Sequence, residues 1–139
     1  MKMNWIIYSI IVAISFAIVV LIYKKLLLLG INQNLLNFFM FGLVFLGFTS
    51  MIIVNKTPIK LSYLMILLLI IASIFALIAN YLEVKAFDSA PNPGYVATLI
   101  STQIILISVL SVLFFKLDFS WVKFLGMIIV LFGSYLIAR

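Results

Sequence analysis

From Trp5 to Tyr23 the chain runs without a charged side chain. The same holds from Leu35 to Val54, from Leu61 to Leu82 and from Gly94 to Phe115. A fifth apolar run, Trp121 to Ala138, is interrupted only by Lys123 near its start. A bilayer core is about 30 Å thick and takes roughly 20 helical residues to cross. The runs therefore predict five membrane spans, at 5–23, 35–54, 61–82, 94–115 and 121–138. Each must be helical, because hydrocarbon offers no partner for an unpaired N–H or C=O. None alternates with the period of two expected of a barrel strand. The expected fold is an all-α membrane protein: one transmembrane domain over residues 1–139, a five-transmembrane-helix bundle with short loops and almost nothing outside the bilayer. The first run is too long for a secretory signal, and no small-residue cleavage pattern precedes Lys24, so it reads as a retained span.

Composition says why lipid has to be the solvent. Apolar residues make up 68% of the chain and charged residues 9%, whereas soluble domains average about 25% charged. So few charges cannot clothe a surface in water. The net charge of +6 does not point to nucleic acid. Its cations stand in ones and twos between apolar runs (Lys24 and Lys25, Lys56 and Lys60, Lys85, Lys116). That is where cations meet headgroups. There is no Cys and no His, and the acids are Glu83, Asp88 and Asp118, scattered along the chain. Thiolate chemistry, imidazole bases and Cys- or His-ligated metals are excluded. No catalytic residue, metal or cofactor is expected, and the chain does not read as an enzyme.

The polar residues inside the runs carry the functional information. On the fourth span Gly94, Ser101 and Ser108 recur at sevens, with Ala97, Thr98 and Ser111 close to the same stripe and Thr102 and Gln103 beside it. Two readings fit. Small and hydroxylated residues let helices approach and bond across the contact, or they line a polar pathway. On the third span Ser73, Ala76, Asn80 and Glu83 share a face at steps of three and four. Glu83 is the one acid near membrane depth, where charge usually marks a pathway or a coupling site. The alternative is an interfacial anchor. The stretch from Leu61 to Phe87 holds no Gly or Pro, and a helix of that length, about 40 Å, carries its last turn out to the headgroups. Asp88 reads as a turn residue and Asp118 as loop. Gly126 and Gly133, seven apart on the fifth span, are candidates for close helix contact. Trp5, Tyr8, Tyr23 and Trp121 lie near span ends as interfacial anchors.

Over roughly residues 80–138 the order of features is familiar. Tyr81-Leu-Glu-Val-Lys-Ala86 is followed by Ala90-Pro-Asn-Pro-Gly-Tyr-Val96, then by Lys116-Leu-Asp118, then by Gly126 and Gly133. This resembles the second half of an EamA-like repeat of the drug/metabolite transporter superfamily: an Ala near the end of the third helix, a Pro-containing turn, a small-residue fourth helix, a short acidic connection and a Gly-rich fifth helix. The first two spans match in length and position. Trp5 is followed by Ile6 where the family often has a Trp-Gly pair, and Asp118 stands where it often has Glu.

The resemblance implies a transporter, and transporters of this type carry two inverted five-helix repeats. The chain reads as a half-transporter for a small metabolite or organic ion, working by alternating access. Asn80, Glu83, Thr98, Ser101 and Ser108 are the expected pathway residues. The alternative is a non-transporting accessory subunit of a larger complex. Five spans put the two termini on opposite faces. Lys2, Lys56, Lys60, Lys116 and Lys123 then fall on one side, and Lys24, Lys25, Lys85 and Arg139 on the other. So even a balance instructs orientation weakly. The expected partners are the lipid bilayer, a small-molecule substrate and a second half, most simply an inverted homodimer. The expected location is the cell or inner membrane.

Overall fold

The computed structural model describes residues 4–116 and 120–138. Asp118, Lys2 and Arg139 lie outside the described residues. Six helices follow in order: α1 (Asn4–Leu28), α2 (Gln33–Val54), α3 (Tyr63–Ser89), α4 (Pro93–Ile100), α5 (Gln103–Phe115) and α6 (Trp121–Ala138). No strand occurs among the described residues. Four stretches are long and apolar enough to cross a membrane: Ile6–Leu28, Gln33–Val54, Tyr63–Ser89 and Pro93–Phe115. Phe124–Ile137 is a shorter apolar helix. The protein is an all-α membrane protein.

Local chemistry sets the helix ends. α1 runs past Lys24 and Lys25, since lysine is a good helix former and its stem can lie along apolar surface. It stops at Gly30, whose φ of +86° is left-handed. There Gly30 N donates to Leu27 O (2.9 Å) and Ile31 N to Leu26 O (3.3 Å), a Schellman turn that satisfies the orphaned carbonyls. Asn32 then caps α2, its Oδ1 accepting from Asn34 N at 2.9 Å. At the far end of α2, Thr57 N donates to Ile52 O (3.1 Å) and Lys56 N to Ile53 O (3.2 Å). Lys56 takes the left-handed position at φ 47°, and Pro58 bars continuation. Asn92 caps α4 by accepting from Gly94 N at 2.8 Å, with Pro93 as the first helical residue.

The single helix expected over 94–115 is instead two, α4 and α5, parted at Ser101–Thr102. Ser101 Oγ donates to Thr98 O (2.6 Å) and Thr102 Oγ1 to Leu99 O (2.7 Å). These hydroxyls compete with the amides for the carbonyls. Tighter bonds take over, from Ile104 N to Ser101 O (3.1 Å) and Ile105 N to Thr102 O (3.2 Å).

The chain divides into two compact units, Met1–Ser89 and Ala90–Arg139. In the first, α1, α2 and α3 pack against one another. Their buried residues are Tyr23, Leu27, Leu36, Val84 and Phe87. All five sit where α1 ends, α2 begins and α3 ends. Along α1 every residue from Ile6 to Ile18 is exposed, as is every residue of α3 from Tyr63 to Ala79. In the second unit α4 packs on α6 and buries Val96 and Ser134. Sparse burial is physical here: lipid tails are as apolar as leucine, so apolar side chains gain little by leaving them for one another.

Candidate functional site

Between α2 and α3, inside the first unit, lies a cleft of about 610 Å³. From α2 it is lined by Asn34, Asn37, Phe38, Phe41 and Gly42, and from α3 by Ser73, Ala76, Leu77, Asn80 and Tyr81. Both sets step by three, one, three and one, the spacing of one continuous helix face. Gly42, Ser73 and Ala76 contribute almost no bulk, and a Cβ added at Gly42 would meet nothing within 4 Å. Phe38, Phe41 and Tyr81 supply aromatic wall. No charged side chain lines the space.

Three amides reach this cleft. Asn80, half-buried, donates its Nδ2 to Ala76 O at 2.7 Å, which leaves Oδ1 as an acceptor. Asn37 Oδ1 is buried and has no hydrogen-bond partner among the described residues. An unmatched buried acceptor typically costs about 1–3 kcal/mol, so its retention calls for an explanation. Asn34 stands at the mouth, beside the Asn32 cap. Ser73 donates its hydroxyl to Leu69 O at 2.7 Å, within its own helix.

The residues singled out from sequence fall in both units. Ser73, Ala76 and Asn80 come together in the cleft. Glu83, one turn further along α3, is half-buried and outside the lining, with Tyr23 of α1 within reach of its charge. Thr98, Ser101 and Ser108 belong to the second unit and are half-buried. Thr98 Oγ1 donates to Gly94 O at 2.8 Å. Its carbonyl accepts from Ser101 Oγ (2.6 Å) and from Ser134 Oγ of α6 (3.1 Å). Gly126 is exposed and Gly133 half-buried, and an added Cβ at either meets no atom within 4 Å.

Sequence reasoning passed over Asn34, Asn37 and Ser134. Asn34 and Asn37, three apart at the head of an apolar helix, carried a signal. Ser134, next to Gly133, carried almost none, since nothing local says that its hydroxyl bridges α6 to α4.

Membrane-length helices and a charge-free, solute-sized cleft with converging amides define a polytopic membrane protein of the small-molecule-handling kind. The chain matches the model of the EamA-like transporter family over residues 3–139 and belongs to that family. The match takes in α1 and α2, beyond the stretch that carried the resemblance. No curated protein and no solved structure matches the chain.

Proposed function

We propose that this chain is a half-sized secondary carrier moving a small metabolite or organic ion by alternating access, with the α2/α3 cleft as the first unit's share of the pathway. The observation that carries the reading is the unpartnered Asn37 Oδ1 in the wall of a charge-free cleft. A packing seam would have no use for an amide it fails to satisfy. A binding site does, because a solute or a small rotation of the side chain can supply the donor.

The lining narrows the solute. It offers amide acceptors and aromatic faces and no cation, so an anion finds no counter-charge there. A molecule with N–H or O–H donors on an apolar body fits. In this reading Asn80 and Asn37 hold the solute, and Glu83, one turn away, carries the coupling charge. Thr98, Ser101 and Ser108 line the second unit's share. Gly126 and Gly133, with open space around them, meet a second chain, most simply an inverted copy.

Reconstitution of the purified chain in vesicles, with a solute screen read as flux and as ligand-dependent thermal shift, tests this. Flux should fall at least tenfold in Asn37→Leu and Asn80→Leu while both stay folded. Glu83→Gln should abolish gradient-driven uptake. Absence of both flux and thermal shift, with another membrane protein co-purifying, would favour an accessory subunit instead.

A further inference from the structure

One end of the first unit is tied shut by polar contacts that neither the cleft nor the family accounts for. Lys24 of α1 donates its Nζ to the carbonyl oxygens of Phe87 (3.0 Å) and Asp88 (3.3 Å) in the last turn of α3. Gln33, the first residue of α2, donates Nε2 to Asp88 Oδ2 at 2.7 Å. The last carbonyls of a helix have no partner within it, and that end carries partial negative charge. The ammonium therefore answers an electrostatic demand that α3 creates by ending there. One lysine and one glutamine thus join three helices.

Beneath these contacts lie the buried side chains of the unit: Tyr23, Leu27, Leu36, Val84 and Phe87. Phe87 belongs to both layers, giving its carbonyl to Lys24 and its ring to the plug. The cleft starts immediately inside, since Asn34 follows Gln33 and Tyr81 lies one turn before Val84 on α3. At the opposite end no described residue of α1, α2 or α3 is buried.

We infer that the Lys24–Gln33–Asp88 latch and the plug beneath it form a gate closing one end of the cleft, and that the latch must release for solute to pass that way. The inference rests on the carrier reading. Its physics suits a moving part. The ties are hydrogen bonds at helix termini, where water can take over each one as it breaks. The plug is apolar side chains, with no ion pair to pull apart. Release would expose Val84 and Phe87 to the aqueous side.

The chain has no cysteine, so a single introduced thiol is an unambiguous reporter. Val84→Cys, in the reconstituted full chain, should react slowly with a water-soluble methanethiosulfonate, since Val84 is 1% exposed. Adding Lys24→Met should raise that rate at least tenfold, and adding Lys24→Arg should leave it slow. Ser134→Cys, buried in the second unit, should stay slow in both backgrounds. Its acceleration would show general unfolding, and Gln33→Leu then replaces Lys24→Met in the same comparison. Equal Val84→Cys rates with and without the intact latch would overturn the gate. A flux arm separates this outcome from failure of the carrier reading. A reducible bis-thiosulfonate joining Lys24→Cys to Asp88→Cys should stop flux, and reductant should restore it. Undiminished flux in the cross-linked protein would refute the gate and leave the carrier standing.

Discussion

Where α1 ends, α2 begins and α3 ends, the first unit buries Tyr23, Leu27, Leu36, Val84 and Phe87. At its other end the same three helices bury nothing among the described residues, although isoleucine, leucine and phenylalanine crowd both ends. Apolar character therefore does not decide where these helices close. The polar side chains do. At the closed end Lys24 and Gln33 bond across from α1 and α2 to α3. At the open end the hydroxyls bond back into their own helices, Ser15 to Ile11 O (2.8 Å), Thr49 to Phe45 O (2.8 Å) and Ser50 to Leu46 O (2.9 Å). In lipid, where apolar contact is nearly free to either partner, interhelical hydrogen bonds and tight local fit settle the packing. The cleft with its three amides lies between these two regimes.

Substitutions at the two ends should separate accordingly. The largest effect is expected at the plug. Phe87→Ala should cost about 3–5 kcal/mol of unfolding free energy, the usual range for a fully buried ring. Phe75→Ala, at a site 69% exposed, should stay within about 0.5 kcal/mol. Equal losses at the two would erase the distinction between the ends. Next comes the amide in the cleft wall. Asn37→Leu should stabilise by about 1 kcal/mol, because it removes an acceptor that the fold leaves unmatched, while flux falls. A loss of stability there would mean that Asn37 has a structural partner. Gln33→Leu should cost about 1 kcal/mol for its bond to Asp88. The smallest effect belongs to Thr49→Val at the open end, within about 0.5 kcal/mol, since only a bond inside its own helix is lost. Denaturation in mixed micelles reads all of these.

Much of the helical layout is legible in the sequence because one physical rule dominates it: an apolar run without charge needs a helix to enter lipid. The Pro91–Gly94 turn is legible too, since Pro93 and the Asn92 cap act locally. The α3 side of the cleft follows from helical spacing, which places Ser73, Ala76 and Asn80 together. Spacing also puts Glu83 on that face, but the lining stops a turn earlier, and a face does not say how far its neighbour extends. Contacts made across the chain were hidden for the same reason. Lys24 looks like a headgroup lysine until the end of α3 is placed beside it. The run Ser101-Thr102-Gln103 looks like a seam. Only the competition of its hydroxyls for backbone carbonyls reveals a break.

The central claim is that the α2/α3 cleft is a solute pathway rather than a lipid-filled seam, and water access tests it most directly. In the cysteine-free chain, Ser73→Cys and Ala76→Cys lie in the cleft, while Phe75→Cys and Ile78→Cys lie on α3 outside it. Reaction with an impermeant thiol reagent in reconstituted vesicles should modify the first pair and spare the second, and modification of Ala76→Cys should block flux. Uniform protection of all four positions would contradict the account and make the cleft a packing surface.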